Sequence, residues 1–262
     1  MSKNLIPAQR RERIQAYLAA KKIAATIDLC NLLDVSEATV RRDLEWLEDR
    51  GVIERTHGGA IFNERINLEQ EYKQRALRQI EEKRKIGALA ASLVEDGDIL
   101  FVNSGTTTTQ LIRQIRPDLD ITIITNNLIA VLEIGEVDYE VLVLGGSFQP
   151  KSNSVAGRFA VQNLSQVYAN KAFIGVDGIS IKHGCTVPSN AEAEVVHLML
   201  ERTQGPVYIL ADHSKWGVVS NFEITPVHKI NTLITDSGLD SSALSALEAR
   251  SVQVLVADDF HR

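Results

Sequence analysis

A short stretch near the N-terminus combines a helix-capping serine with two adjacent arginines, a pattern that can read DNA. Ser36 has the residue type of a helix N-cap. An apolar stripe at helical spacing follows it: Val40, Leu44 and Leu47. Arg41 and Arg42 lie on the opposite face, and the planar fork of arginine can bind guanine O6 and N7 or hold a phosphate. The spacing therefore predicts a helix that enters the major groove of double-stranded DNA.

Further residues of this region can contact the duplex from the recognition helix and from a following wing. The predicted DNA contacts are Ser36, Glu37, Ala38, Thr39, Arg41, Arg42, Arg55 and His57. We also expect phosphate contacts on the flank from Arg10, Arg11 and Arg13. The alternative is a solvated helix face on which Arg41 pairs with Glu37 and Glu45, interactions worth only about 0.2–0.5 kcal/mol each.

A second cluster, Ser104–Thr109, has one glycine and five hydroxyl residues between a predicted strand and a predicted helix. Backbone N–H groups at the start of a helix favour anions, so a phosphate suits this environment. Neither a Walker lysine nor a GxGxxG pattern is present, which argues against nucleoside triphosphates and dinucleotides. The alternative is that Ser104 or Thr106 only caps the helix.

Polar and glycine residues follow several predicted strands, and in an open parallel sheet such residues meet at one edge. Lys215 can pair with a phosphate or with Asp212, while Asp177 and Asn126 can bond sugar hydroxyls. Each of them is also a common turn former or cap. Glu192 suits either a ligand hydroxyl or the first turn of a helix. The candidate ligand residues are Ser104, Gly105, Thr106, Thr107, Thr108, Asn126, Gly145, Gly146, Asp177, Glu192 and Lys215.

The elements that position the first cluster read as a winged helix-turn-helix domain over residues 1–62. Its predicted helices are Pro7–Ala20, Ile27–Leu33 after a Thr26 cap, and a third that runs from Ser36 to Gly51. Val52–Thr56 and His57–Ile61 read as a hairpin. Residues 63–80 are polar and of mixed charge, and we place the linker there.

Residues 81–262 alternate between strand-like apolar runs and helical segments, which predicts an open, mostly parallel α/β domain. The predicted strands are Ile99–Asn103, Ile121–Thr125, Tyr139–Leu144, Ala172–Val176, Val207–Ala211, Thr232–Thr235 and Gln253–Val256. The predicted helices are Lys83–Leu93, Thr107–Ile115, Leu128–Ile134, Arg158–Val167, Ala191–Arg202 and Ser242–Arg250.

Composition excludes several classes of protein. The 262 residues are 44% apolar and 24% charged, as in globular proteins, and the apolar runs are too short to span a membrane. Nothing at the N-terminus has signal-peptide form, so we expect a cytoplasmic protein. The two cysteines and the histidines lack metal-site spacing, and we expect neither metal nor cofactor. Residues 1–62 carry ten Lys and Arg against nine Asp and Glu, so DNA binding must rest on a local patch.

One long ordered motif runs through the N-terminal part: Val35-Ser36-Glu37-Ala38-Thr39-Val40-Arg41-Arg42-Asp43-Leu44, Leu47-Glu48, Gly51 and Arg55-Thr56-His57-Gly58-Gly59-Ala60. It resembles the DNA-binding signature of the DeoR family of bacterial transcription regulators. The resemblance continues in the sensor part of that family, with Glu82-Lys83, Asp96-Gly97-Asp98, Ser104–Thr108, Thr125-Asn126, Gly145-Gly146, Lys171–Gly175, Asp177-Gly178, Glu192–Val195 and Leu210-Ala211-Asp212 with Ser214-Lys215. This chain departs from the family pattern at two places. It has Val196-His197 where similar proteins commonly carry Lys or Arg, and Trp216 where Phe is more usual.

The resemblance implies a repressor whose C-terminal domain, related in fold to ribose-phosphate isomerases, binds a phosphorylated sugar or similar metabolite. We expect a regulator of carbohydrate genes that binds a DNA operator as a homo-oligomer, a dimer or larger, since one winged domain covers only a short site. The alternative is an isomerase-like enzyme with a DNA-binding module. A sensor must not consume its signal, so we expect no enzyme. The sequence leaves the operator, the particular sugar and the sense of the response open.

Overall fold

A computed structural model describes residues 5–50, 52–56, 58–62 and 72–257 of the chain. The chain forms two compact units, Met1–Glu71 and Tyr72–Arg262. Residues 72–80, which the sequence pattern assigns to the linker, lie within the second unit. In the described part of the chain, no helix has the length and apolar character that crossing a membrane requires.

Three helices and a small antiparallel sheet build the described part of the first unit. The helices are Pro7–Lys21, Thr26–Leu33 and Glu37–Glu48. The strands are β1 (Ile23–Ala25), β2 (Ile53–Thr56) and β3 (Gly59–Phe62), in the order β1-β3-β2. Ile14, Leu18, Leu29, Val40, Leu44 and Leu47 are among the residues of its core. This architecture is the predicted winged helix-turn-helix.

The helix boundaries follow local capping chemistry, with one correction. Ser36 caps the third helix as predicted, because its side chain accepts a hydrogen bond from the Thr39 N–H. The prediction for Thr26 is wrong: the N-cap is Ala25, and Thr26 is already helical. Its N–H donates instead to the Gly58 carbonyl. Gly51 and His57, predicted to end the helix and to contact DNA, lie outside the described residues.

A buried carboxylate joins the first helix to the third. Asp43 is 1% exposed, and its two oxygens accept hydrogen bonds from Arg10 Nε at 2.8 Å and Arg11 Nε at 2.9 Å. The Arg11 guanidinium also lies 4.3 Å from the ring centre of Trp46. These two arginines, expected to contact phosphate, therefore hold the recognition helix in place.

The second unit is built on a parallel sheet whose seven strands confirm the predicted open α/β fold. Its strands are β4 (Ile99–Val102), β5 (Thr122–Thr125), β6 (Glu140–Val143), β9 (Lys171–Gly175), β12 (Val207–Leu210), β14 (Thr232–Asp236) and β15 (Gln253–Ala257). Their order in the described sheet is β15-β14-β12-β9-β4-β5-β6, with parallel pairing throughout. The strand order reverses between β4 and β9.

Helices cover both faces of this sheet and bury its apolar side chains in two cores. The described helices are Ile80–Ala91, Thr106–Ile112, Leu128–Glu133, Arg158–Leu164, Asn190–Glu201 and Ser241–Glu248, with short 3₁₀ turns at His213–Lys215 and Val227–Lys229. Smaller antiparallel strands, which the sequence pattern does not predict, complete the unit: β7 (Ser147–Gln149), β8 (Ser154–Ala156), β10 (Gly178–Ser180), β11 (Gly184–Val187) and β13 (Phe222–Thr225).

Candidate functional site

The second unit contains a cavity of about 300 Å³ at the carboxyl ends of its strands. Ser104 follows β4, Asn126 follows β5, Asp177 follows β9 and Asp212 follows β12, and all four residues line it. The cavity therefore lies where the strand order reverses between β4 and β9, the position at which open α/β sheets bind ligands. Its volume is at the lower end of the range for small-molecule sites.

Two buried asparagines hold the edge of this cavity in shape. Asn103 donates from Nδ2 to the Gly175 carbonyl at 3.0 Å and accepts from the Gly175 N–H at 2.7 Å, which fixes β4 against β9. Asn126 accepts from the Ser104 N–H at 2.8 Å and donates to the Val155 carbonyl at 3.0 Å. The amide of Asn126, predicted to bond a sugar hydroxyl, thus positions the Ser104 loop.

The hydroxyl-rich loop divides into a part that faces the cavity and a part that supports it. Ser104, Gly105, Thr106 and Thr107 line the cavity. Thr108 is fully buried and does not line it, because its hydroxyl donates to the backbone oxygens of Asn103 and Gly105. No side chain caps the helix Thr106–Ile112, whose N-cap is Gly105. The cavity-facing hydroxyl groups are therefore not used as caps.

Five cationic side chains line the cavity among the described residues. They are Arg75, Arg78, Lys83, Lys151 and Lys215. The sequence patterns singled out only Lys215 as a ligand residue. The other four were missed because three lie in or next to the predicted linker and Lys151 lies in an unpredicted hairpin. The signals that could have found them are the density of arginine and lysine in residues 73–85 and the Glu82-Lys83 pair of the family resemblance.

Lys83 is the most buried of these cations, with 3% of its surface exposed. Its Nζ donates to the carbonyls of Arg75 at 2.6 Å and Arg78 at 2.5 Å. Burial lowers the pKa of Lys83 to about 8, with Lys215 and the two arginines adding to the shift and Asp212 opposing it. The cavity therefore holds positive charge at an energetic cost, which a bound anion reduces.

Acidic groups occupy other parts of the cavity wall. Asp177 lies 4.0 Å from Arg75, and Asp212 accepts hydrogen bonds from the N–H and hydroxyl of Ser214. Burial raises the pKa of the Glu192 carboxyl, and the neighbouring Ser152 hydroxyl opposes that shift. Hydroxyl groups of a ligand are suitable partners for these carboxylates.

The structure brings most of the predicted ligand residues to one place. Ser104, Gly105, Thr106, Thr107, Asn126, Asp177, Glu192 and Lys215 all line the cavity. Gly145 and Gly146 do not, and each has a structural explanation. The Gly145 N–H donates to Asn163 Oδ1 at 3.1 Å, and a Cβ on Gly146 would lie 2.7 Å from the Ala156 carbonyl oxygen. These glycines allow the close turn between β6 and β7.

The candidate DNA-binding surface lies in the first unit, where a groove separates the recognition helix from the wing. Glu37, Arg41, Arg55 and Thr56 contribute to its walls. Arg41 Nη2 lies 2.6 Å from Glu37 Oε1 while 64% of its side chain remains exposed. Arg55 pairs with Glu48 at 3.6 Å. The predicted residues Ser36, Ala38 and Arg42 are exposed, and Thr39 is half-buried, on the same helix.

Comparison with known families gives two matches. Residues 10–66 match the DeoR-like helix-turn-helix domain, and residues 78–237 match the DeoR C-terminal sensor domain. The match to the sensor domain includes the hydroxyl-rich loop Ser104–Thr109, the buried Asn103 and Asn126, and all of the cavity cations except Arg75. The two matches follow each other along the chain in the same order as its two units.

Relatives of similar length extend over nearly the whole chain. The HTH-type transcriptional repressor GlcR of Bacillus subtilis is 36% identical over 252 residues, 95% of this chain and 96% of the relative. The HTH-type transcriptional regulator GlpR of Haloferax volcanii is 32% identical over 251 residues, with coverage of 96% and 98%. The regulator IolR of Bacillus subtilis is 30% identical over 232 residues, with coverage of 88% and 92%.

Solved structures show only distant similarity. Ribose 5-phosphate isomerase A from Methanocaldococcus jannaschii matches with a TM-score of 0.39 at 16% identity, over 53% of this chain and 55% of that one. The translation initiation factor eIF-2B of Pyrococcus horikoshii matches with a TM-score of 0.42 at 17% identity, over 88% and 82%.

Proposed function

The chain belongs to the DeoR family of transcriptional regulators, and from this premise we propose that it represses carbohydrate genes under the control of a phosphorylated sugar. The observation that carries the proposal is the convergence of five cations and a hydroxyl-rich loop on one cavity in the sensor domain. The residue roles that follow belong to the same proposal.

The phosphate group is assigned to the cationic part of the cavity. Lys215 forms no ion pair with any described residue, and Lys83 has no carboxylate hydrogen-bonded to its Nζ in the same part of the chain. A phosphate dianion would neutralise both charges and accept hydrogen bonds from Thr106 and Thr107 as well. A neutral sugar would leave the cations facing one another across the cavity.

The sugar hydroxyls are assigned to the acidic part. Asp177 and Glu192 both line the cavity, and each carboxylate can accept hydrogen bonds from ligand hydroxyl groups. A second phosphate at this end would meet two carboxylates, which disfavours it by charge repulsion. The cavity therefore suits a monophosphate with a polyhydroxyl chain or ring.

DNA binding is assigned to the groove of the first unit, with Arg41 and Arg42 on the recognition helix and Arg55 on the wing. Arg41 reaches base edges or phosphate when DNA replaces Glu37 as its partner. The predicted contacts of Ser36, Glu37, Ala38 and Thr39 belong to the first turn of the same helix.

Repression is the proposed sense of regulation, supported by a relative that is itself named a transcriptional repressor. A homo-oligomer is proposed because a single winged domain covers too short a site for specific affinity. The ligand would then change the occupancy of the operator only if it binds the DNA-bound protein and the DNA-free protein with different affinities.

The test is a selection of genomic fragments by the purified protein at physiological salt, with and without monophosphates. The panel contains inorganic phosphate, glycerol 3-phosphate, ribose 5-phosphate, fructose 1-phosphate and glucose 6-phosphate. We expect a repeated motif to be enriched and one of the sugar phosphates to change its occupancy. Enrichment that no member affects would refute the proposed effector class. Absence of enrichment together with turnover of a sugar phosphate would favour the isomerase-like alternative, since Asp177, Glu192 and Lys215 share the cavity.

A further inference from the structure

Residues 72–79, called the connector here, form part of the cavity wall and lead along the chain to the DNA-binding unit. Residues 72–77 are helical, and Gln79 has a left-handed φ of 49° just before the helix Ile80–Ala91. Tyr72, Arg75, Arg78 and Gln79 of the connector line the cavity. The same residues therefore line the cavity and precede the rest of the sensor domain directly after the DNA-binding unit in the chain.

Tyr72, Arg75 and Lys83 make three of the contacts that hold the connector to the sensor domain. Burial raises the pKa of the Tyr72 hydroxyl, and Thr109, on the helix that follows the hydroxyl-rich loop, is close enough to oppose that shift. Arg75 donates to the Lys151 carbonyl and lies 4.0 Å from Asp177. Lys83 donates to the carbonyls of Arg75 and Arg78. The contacts of Arg75 and Lys83 join the connector to residues that line the cavity.

The contact through Lys83 differs from the other two because one buried ammonium group in the cavity wall makes both of its bonds. An ammonium group has three donors, and two of those on Lys83 are used by the connector carbonyls. A donor remains for an anion. Charge strengthens a hydrogen bond, so whatever keeps Lys83 protonated also strengthens its bonds to the connector.

We propose that Lys83 couples anion binding to the connector: a phosphate on its free donor fixes the ammonium and tightens the hold on residues 75 and 78. This inference rests on the proposed function, because it takes the phosphorylated ligand as its input. The ligand-bound and empty states would then differ in how firmly the last turn of the connector is held. That difference is what the DNA-binding domain would sense along the chain.

The neighbours of Lys83 support this direction of coupling. Arg75, Arg78 and Lys215 bring like charge to the group, and Asp212 supplies the opposing negative charge. In the empty cavity, burial and these like charges lower the pKa of Lys83 to about 8, so most of the group is still charged at pH 7. A bound anion then acts chiefly by holding the ammonium in place, so that anion binding and the connector bonds favour each other, as linkage requires.

A comparison of two lysine variants separates coupling from ligand affinity. Lys83→Met keeps the length of the side chain but removes the ammonium, and Lys215→Met removes a cavity lysine that makes no connector bond. Both variants are expected to bind monophosphates more weakly. The measured quantity is the ratio of DNA Kd values with and without each panel monophosphate at saturation, on the genomic fragment enriched by the wild type.

At saturating monophosphate, we expect the DNA Kd of the wild type and of Lys215→Met to change by about five-fold or more. The DNA Kd of Lys83→Met is expected to change by less than about two-fold. A wild-type ratio in saturated Lys83→Met would overturn the proposal. If Lys83→Met does not fold, hydrogen exchange in the wild type decides. Slower exchange of connector amides with the bound monophosphate supports the coupling, and unchanged exchange overturns it.

These results distinguish the two levels of the proposal. If a panel monophosphate slows hydrogen exchange in the connector of the wild type but leaves its DNA Kd unchanged, the proposed regulation is refuted and the coupling through Lys83 is supported. If a saturating monophosphate changes the DNA Kd of the wild type and of Lys83→Met by the same factor, the proposed regulation is supported and the coupling through Lys83 is refuted. If no panel member binds the wild type, both are refuted.

Discussion

Binding of a sugar monophosphate to the sensor domain is expected to weaken as pH rises from 7 to 9. The titrating group is Lys83, whose pKa burial lowers to about 8, with Lys215, Arg75 and Arg78 adding to the effect and Asp212 opposing it. A phosphate monoester has its second pKa near 6, so the ligand stays a dianion throughout this range. The change in affinity then comes from the protein.

The magnitude follows from the fraction of Lys83 that carries a proton. With a pKa of about 8, roughly nine tenths of the group is charged at pH 7 and roughly one tenth at pH 9. If the charged form binds, the affinity falls about ten-fold over this range, which corresponds to about 1.4 kcal/mol. Binding near pH 8 must also take up protons, because the bound anion raises the pKa of Lys83.

Isothermal titration calorimetry with ribose 5-phosphate and the other panel members measures both quantities. Titrations in buffers of different ionisation enthalpy give the protons taken up, and the Kd at each pH gives the slope. Lys83→Met is expected to show a flat profile. Lys215→Met is expected to bind more weakly but to keep a fall in affinity, at higher pH, because the loss of a like charge raises the pKa of Lys83. A flat wild-type profile, or the wild-type slope in Lys83→Met, would refute the reasoning.

Three further predictions test other parts of the molecule. Arg41→Ala should weaken DNA binding by about 1–3 kcal/mol if Arg41 reads a base, and unchanged affinity in a fluorescence anisotropy titration would remove it from the interface. Thr107→Val should leave DNA affinity unchanged but reduce the response to panel monophosphates, since a cavity hydroxyl is lost; a normal response would exclude Thr107 from the site. Asp43→Ala should cost about 3–5 kcal/mol of unfolding free energy in urea, because Arg10 and Arg11 lose their buried partner. The exposed Asp49→Ala is the control, and equal small losses in both variants would contradict this role.

Local chemistry made much of the fold predictable. Each of the seven strands predicted for the sensor domain appears in the parallel sheet with its ends within one residue of the expected positions. Buried strands of a parallel sheet are continuous apolar runs bounded by polar residues, so their signal is strong. The strands β1, β7, β8, β10, β11 and β13 escaped prediction. β1 has only three residues, and the others mix polar or glycine residues with apolar ones, unlike the apolar runs of the equally short strands β4 and β12.

The sequence predicts those residues of the candidate site that directly follow a strand. It does not predict the site residues that come from other parts of the chain. Ser104, Asn126 and Asp177 are recognisable because the carboxyl ends of parallel strands share an edge. Lys83 and Arg75 enter the same cavity from a helix start and from a segment that looks like a polar linker. No local pattern in their sequence shows that they face this edge.

The sequence by itself determined the class of each domain, the cap at Ser36 and the hydroxyl-rich loop, because these depend on residues within a few positions of one another. Tertiary structure alone decided that Thr108 turns inward to backbone oxygens and that Asp43 is buried against Arg10 and Arg11. It also decided that Lys83 joins the cavity to residues 75 and 78. Such roles depend on which groups burial brings together and on the need of each buried polar group for a partner, and neither is fixed until the chain has folded.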